Sequence, residues 1–117
     1  MRKQFVSKAR YVPHSPLKLR VLVNVIRGQN VKKALNWLTT LAVKKALPIE
    51  KMVKSAAANA KNLENVNEEF LIVKDIRVDR GPSRTYFKPG AMGRSNMYKR
   101  RSCHMSVTLE RLDQKEV

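Results

Sequence analysis

The spacing of hydrophobic residues changes once along the chain, and this change constrains the fold more than any other feature. From Ser15 to about Leu63, apolar residues recur every three or four positions, which is the period of an α-helix. From Phe70 to Asp79, and again from Cys103 to Glu110, apolar and polar residues alternate, which is the period of a β-strand. This order predicts an α+β fold of three helices packed on a small three-stranded antiparallel sheet.

The first predicted helix has clear start and stop signals. Ser15 suits the N-cap, Pro16 the first helical position and Gly28 the C-terminal stop. Its apolar residues at helical spacing, which we expect to form the packed side of the helix, are Leu17, Val21, Leu22, Val25 and Ile26.

Two further helices follow. Asn30 is predicted to cap the second, whose apolar residues are Val31, Ala34, Leu35 and Leu38. The third extends to about Leu63, and its apolar face contains Ile49, Met52, Val53, Ala56, Ala57 and Ala60. Pro48 leaves two possibilities, because a proline inside a helix removes a hydrogen bond: the third helix begins near Pro48, or it kinks there.

The remaining sheet-forming segment is N-terminal. Residues 2–12 alternate in a way that suits a short strand or an extended arm, and Pro13 closes it. The chain has 117 residues, of which 43% are hydrophobic, so we expect a single domain.

A connection rich in glycine and proline joins the two alternating segments. Residues 80–102 contain three of the four glycines and three aromatic residues. If the segment is a hairpin that turns near Pro89 and Gly90, each arm of about ten residues would project roughly 35 Å. Because a two-stranded ribbon is marginally stable alone, we expect this one to become ordered only when a partner surrounds it.

Charge is distributed unevenly. The chain carries 25 Lys and Arg against 9 Asp and Glu, a net charge of +16. Residues 1–49 and 80–105 contain no acidic residue. Surfaces of mixed sign are the usual way to stay soluble, so this exclusion of acids predicts a polyanionic partner, above all nucleic acid.

Other classes of protein have little support in the sequence. One cysteine and two distant histidines cannot form a disulfide or a zinc site, so we expect no metal or cofactor and a reducing compartment. The uncharged segments are too short to span a membrane, and no secretory signal is visible, so we expect a soluble protein without membrane insertion.

Several motifs resemble the bacterial-type large-ribosomal-subunit protein number twenty-two family. They are the helix start at Ser15, Pro16, Lys18 and Arg20, the Ile26-Arg27-Gly28 stop, the segment KSAAANA, and above all VDRGPSRTYFKPGAMGRSNMYKRRSCHMSV. The resemblance covers about residues 8–109 in unbroken order.

The resemblance implies a globular body, about residues 1–79 and 103–117, and a long protruding β-ribbon, about residues 80–102. It implies a non-catalytic structural constituent of the large ribosomal subunit, located in the cytoplasmic ribosome or an organellar one. The partners would be ribosomal RNA, neighbouring ribosomal proteins and, at the ribbon tip, the nascent polypeptide in the exit tunnel.

Candidate site residues fall into two sets. Basic and polar side chains that can hold phosphates or stack on bases form the first set: Lys8, Arg10, Ser15, Lys18, Arg20, Arg27, Arg80, Arg84, Lys88, Arg94, Tyr98, Lys99, Arg100, Arg101 and His104. The second set is the tunnel-lining tip: Tyr86, Phe87, Lys88, Pro89, Gly90, Ala91, Met92 and Gly93. For the ribbon aromatics, packing across the hairpin is an equally good interpretation.

Two alternatives stay open at this stage. Another structured-RNA-binding protein or an RNA-processing factor would share the charge pattern, although an enzyme would need carboxylates that the basic segments lack. A cationic protein of membrane surfaces would need a strongly amphipathic basic helix, of which the first helix is a weak version.

Overall fold

The computed structural model of the chain describes residues 4–41 and 43–111. The elements follow in the order β1 (Gln4–Val12), α1 (Pro16–Ile26), α2 (Val31–Thr40), α3 (Ala46–Glu64), β2 (Leu71–Arg80), β3 (Arg84–Pro89), β4 (Ser95–Arg100) and β5 (Cys103–Arg111). Single 3-10 turns precede β2, at Glu68–Phe70, and join β3 to β4, at Ala91–Gly93. Three helices and antiparallel strands confirm the α+β prediction.

The three-stranded sheet has the order β1-β5-β2, and both pairs are antiparallel. The N-terminal segment is therefore an edge strand, as one of its two interpretations predicted. Along the central strand β5, Cys103, Met105, Val107 and Leu109 are buried and the residues between them are half-buried. Because α1 packs on β2 and α3 on β1 and β5, the core lies between the helices and one face of the sheet.

A bulge in β2 corrects the simple alternation seen in the sequence. The register shifts between Val73 and Asp75, so that burial moves from Leu71 and Val73 to Ile76 and Val78. Without the extra residue, Lys74 would share the buried face of Ile76, which is unfavourable for a charge.

Helix α1 buries a different stripe from the one that we predicted. Pro16, Leu19, Val23 and Ile26 are buried, whereas Leu17 and Val21 are each 67% exposed and Val25 is 44% exposed. The helix is apolar along two neighbouring stripes, so the spacing alone does not tell which one faces β2. Only Ile26 and the half-buried Leu22 of the predicted set lie on the packed side.

The other two helices agree closely with the sequence. The side chain of Asn30 accepts a hydrogen bond from the backbone N–H of Lys32 at 2.9 Å and so caps α2. Helix α3 begins at Ala46, which places Pro48 in the first turn, where a backbone N–H has no partner within the helix. Pro48 therefore marks the start of α3, and the whole predicted apolar face of α3 is buried.

The ribbon is a separate two-stranded sheet of β3 and β4. Its ladder runs from the pair Arg84 and Arg100 to the pair Pro89 and Ser95, six residues in each arm instead of the ten predicted. Pro82, which has no N–H to donate, lies between this ladder and the three-stranded sheet. The chain reverses around Met92 and Gly93, both with positive φ, slightly later than predicted.

No helix in residues 4–41 and 43–111 combines the length and the apolar character that a membrane crossing requires.

Candidate nucleic-acid interface

A groove of about 810 Å³ separates the body from the ribbon. We call it the body–ribbon groove. The segment before α1, the start of α1 and the residue before α3 form its body wall, and β4 with the residue after it forms its ribbon wall. The lining residues are Pro13, His14, Ser15, Lys18, Lys45, Met97, Lys99, Arg100 and Arg101.

The body–ribbon groove brings together site residues from opposite ends of the sequence. Ser15 and Lys18 lie across from Lys99, Arg100 and Arg101, all of which the sequence predicted as RNA-binding. None of the described lining residues is acidic. The groove therefore concentrates positive charge and suits a polyanion.

Lys45 also lines this groove, and our sequence reasoning missed it. It belongs to the acid-free N-terminal segment, and that composition was the available signal. Nothing in its local pattern distinguishes it from Lys44, because its position depends on where α3 begins relative to α1.

A second groove, of about 380 Å³, lies where the ribbon leaves the sheet. It collects three more predicted residues, Lys8, Arg10 and His104, next to Tyr11 and Asp79. The carboxylate of Asp79 makes this foot groove mixed in charge, unlike the body–ribbon groove.

The register between β1 and β5 shifts between Ala9 and Val12, and the backbone of this irregular segment orients His104 in the foot groove. Its Nδ1 accepts a hydrogen bond from the backbone N–H of Tyr11 at 3.0 Å, and the two rings meet edge-on with centroids 4.9 Å apart. Because Nδ1 accepts, the proton of the neutral ring lies on Nε2, which can donate to an RNA oxygen. Tyr11 was not among the predicted site residues. Its backbone has a positive φ, which no feature of the sequence indicates.

Arg20 and Arg27 have partners within the fold. Arg20 donates from Nε and Nη2 to the backbone carbonyl of Val78, at 3.2 and 3.0 Å. Arg27 donates to the carbonyl of Ile76 at 2.7 Å, and its Nε lies 3.8 Å from a carboxylate oxygen of Asp75. These contacts satisfy carbonyls on the outer edge of β2. Arg27 also donates from Nη1 to Oδ1 of Asn24 at 2.9 Å, so fewer of its five donors than of those of Arg20 are left for other acceptors.

The ribbon exposes the side chains of all six β3 residues. The guanidinium of Arg100 lies over the ring of Tyr86, 5.7 Å from its centroid, so Tyr86 makes a cross-strand cation–π contact. Phe87 pairs in register with Met97, and both are more than 60% exposed. The side chain of Tyr98 lies outside the described part of the structure.

The other predicted residues are surface positions. Arg80 ends β2, Arg84 and Lys88 lie on β3, and Arg94 follows the turn; all four are exposed. Within the tip, Met92 is fully exposed and only Gly90 is partly covered. Gly90 is required there, since a Cβ atom would lie 2.8 Å from the carbonyl oxygen of Arg94.

In the described part of the chain, no three His, Cys, Asp or Glu side chains lie close enough together to hold a metal ion. Cys103 is a free, fully buried thiol, and burial raises its pKa, which favours the unreactive protonated form. Cys103 is thus one of the buried core residues of β5.

Comparison with known proteins gives the class to which this fold and its basic grooves belong. Residues 7–110 match the model of a family of ribosomal proteins. The family is described as ribosomal protein L22p/L17e, and the chain belongs to it. The resemblance stated from the motifs is confirmed.

Individual relatives agree with the family. The chain is 43% identical over 108 residues to the large ribosomal subunit protein uL22 of Desulforamulus reducens, covering 92% of this chain and 94% of the relative. It is 41% identical to the protein of the same name from Myxococcus xanthus, covering 86% and 90%. The uL22c protein of Chlorokybus atmophyticus is 38% identical, covering 89% and 87%. All three are named as ribosomal proteins and none as an enzyme, which confirms the non-catalytic prediction.

Proposed function

We propose that the chain is a structural constituent of the large ribosomal subunit that binds ribosomal RNA through its two grooves and its ribbon. The ribbon tip, residues 86–93, would line the exit tunnel for the nascent polypeptide. The observation that carries the proposal is the convergence of Lys18, Lys45, Lys99, Arg100 and Arg101 on one groove without a described acid. The names of the relatives support the assignment to the large subunit.

The chemistry of binding is phosphate positioning. Lysine and arginine neutralise phosphates and release counterions, and the planar fork of arginine matches a phosphate with two hydrogen bonds. Folded RNA offers its backbone and 2′-hydroxyls more readily than its deep major groove. The foot groove supplies Lys8 and Arg10 for phosphates and His104 Nε2 for a hydroxyl or phosphate oxygen.

The proposal for the tip rests on exposed apolar residues. Phe87, Met92 and Met97 are 69%, 100% and 64% exposed on a ribbon that has no core of its own. Phe87 and Met97 pair across the ribbon and so form a contiguous exposed apolar patch, which favours contact with a partner. In a large subunit these partners would be RNA, neighbouring ribosomal proteins and the passing nascent chain.

The test is the affinity of the purified protein for large-subunit ribosomal RNA as a function of salt. If seven or more cations contact phosphates, the logarithm of the association constant should fall with the logarithm of salt concentration with a slope of magnitude about 5 or more. A nearly flat dependence, or equal affinity for anionic vesicles, would contradict the proposal. Replacing Arg100 and Arg101 with alanine should weaken binding and leave the unfolding transition of the body unchanged.

A further inference from the structure

The ribbon is joined to the body by a narrow hinge. The last pair of the three-stranded sheet is Arg80 with Cys103, and the first pair of the ribbon is Arg84 with Arg100. Between them, the described bonds across the chain are those from Gly81 N to Ser102 O, at 3.0 Å, and from Ser102 Oγ to Pro82 O. Few bonds therefore set the direction of the ribbon relative to the body.

Charge across the groove opposes closure of this hinge. Lys18 and Lys45 lie on the body wall and Lys99, Arg100 and Arg101 on the ribbon wall. Within the described part of the chain, none of the five forms an ion pair with an acid, although Arg100 contacts Tyr86. Like charges on facing walls repel each other, and an anion between them reverses the sign of the interaction.

The groove also has an apolar component. Pro13 contributes to the body wall and Met97 to the ribbon wall. A phosphate group forms no favourable contact with apolar surfaces, whereas the base or ribose of a nucleotide can pack on them. The volume of about 810 Å³ falls within the range of pockets that enclose small molecules, about 300–1,000 Å³.

We propose that the body–ribbon groove holds one unpaired strand of RNA, whose phosphates contact both walls at once, and that this bridge fixes the angle between ribbon and body. This inference rests on the proposed function and adds the kind of RNA that the groove takes and what its binding does to the protein. Basic side chains on both walls of this open groove can contact the backbone of a single strand from two sides at once, while a duplex, which is wider, meets mainly the open side of the groove.

The experiment uses the full chain with spin labels on two introduced cysteines, Met92→Cys at the tip and Leu63→Cys at the end of α3. Both positions are exposed, and the buried Cys103 stays unlabelled. The distribution of label-to-label distances is measured alone, with a uridine octamer, and with an eight-base-pair RNA duplex. Octamer affinity is measured in parallel by fluorescence anisotropy at several salt concentrations.

Two double variants with the same change of charge are compared. Lys18→Gln with Lys45→Gln removes the charges of the body wall. Lys33→Gln with Lys51→Gln removes two exposed lysines that do not line the groove.

In the unsubstituted protein, the octamer should narrow the distance distribution and the duplex should not. The body-wall variant should lose the narrowing, bind the octamer about ten-fold more weakly and show a salt slope lower by about 1.4, or 0.7 for each lost phosphate contact. The control variant should keep the narrowing.

Four results would overturn the inference. Equal losses in both variants would mean that only total charge matters, and equal narrowing by the duplex would mean that the groove does not select a single strand. The body-wall variant and the control variant could show the same octamer affinity and the same distance distribution. If ribosomal RNA still binds with a steep salt slope in that case, the groove inference alone fails. Absence of salt-dependent binding to ribosomal RNA in the unsubstituted protein would refute the proposed function as well.

Discussion

Arg20 on α1 and Arg27, the residue that follows α1, illustrate that a basic residue of a strongly cationic chain can serve the fold. Arg20 and Arg27 are seven positions apart, and each donates to a carbonyl on the outer edge of β2. A sequence predicts the charge of such residues but not their partners, because the partners depend on the helix rotation that the packing selects. Tyr11 and Lys45 were missed for other structural reasons: the contact of Tyr11 depends on its positive φ, and the position of Lys45 depends on where α3 begins relative to α1.

Replacing Arg20 with methionine, which keeps the apolar stem and removes the donors, should lower the free energy of unfolding by about 1–2 kcal/mol. The measurement is urea denaturation of the free protein. Arg84→Met, on the exposed ribbon, is the matched control and should leave the transition unchanged. If Arg20→Met leaves stability intact and reduces only RNA affinity, the contacts with Val78 are dispensable and the side chain serves RNA.

Cys103 gives a prediction about pH. Burial raises the pKa of its thiol, so above the ordinary thiol pKa of about 8.5 the unfolded chain loses this proton before the folded chain does. The folded state then holds more protons, and stability falls as pH rises, by at most about 1.4 kcal/mol per pH unit from this group. Below that pH the contribution is constant.

The measurement for Cys103 is the free energy of unfolding at pH 7 and pH 9.5, compared with that of Cys103→Ala. Lysine and tyrosine titrate in both proteins, so the difference between the two pH dependences isolates the thiol. A steeper alkaline loss in Cys103→Ala than in the parent would be the opposite of the expected sign.

At the scale of elements, the period of the hydrophobic residues identifies which segments form helices and which form strands, and packing decides which side of each element is buried. All three helices and both alternating strands are predictable from this period. The buried face of α3 is also predictable, because its small residues Ala56, Ala57 and Ala60 lie on one side of the helix. The face of α1 is not, because both of its stripes are apolar. The alternation does not predict the bulge in β2 either, because the bulge depends on how β2 pairs with β5.

The ribbon strands should exchange their amide hydrogens quickly in the free protein. β3 is exposed along its length, so little apolar burial opposes opening of its ladder, whereas α1 and α3 are packed on the sheet. Hydrogen exchange followed by mass spectrometry should show fast exchange over residues 84–100 and slow exchange in α3. Addition of ribosomal RNA should slow exchange in the ribbon, and equal protection of ribbon and helices without RNA would contradict an arm that a partner orders.

At the scale of the whole molecule, anchoring and tunnel lining are predicted to be separable. Replacing residues 87–97 with Asn-Gly joins the paired positions Tyr86 and Tyr98 by a two-residue turn and removes only Lys88 and Arg94 from the 25 basic residues. The groove cations Lys18, Lys45, Lys99, Arg100 and Arg101 remain.

The shortened protein should therefore still enter large subunits, at no less than about half of the normal amount, and should change the passage of nascent chains through the tunnel. Mass spectrometry of purified subunits gives the occupancy. Near absence from subunits, with the isolated protein still folded, would show that the distal ribbon supplies the anchoring energy.

The order of strands has a consequence for synthesis. β5 is the central strand of the sheet, and it is the last element along the described chain. Among the described strands, β1 and β2 each pair with β5 alone, and β2 has in addition an isolated bridge between Ile72 and Asn30. Neither strand therefore has a hydrogen-bonded strand neighbour until residue 103 and those beyond it have left the ribosome that makes them. The segments of the helices and the ribbon are synthesised by then, so we expect the sheet to close late, around a strand that arrives from the C-terminal side.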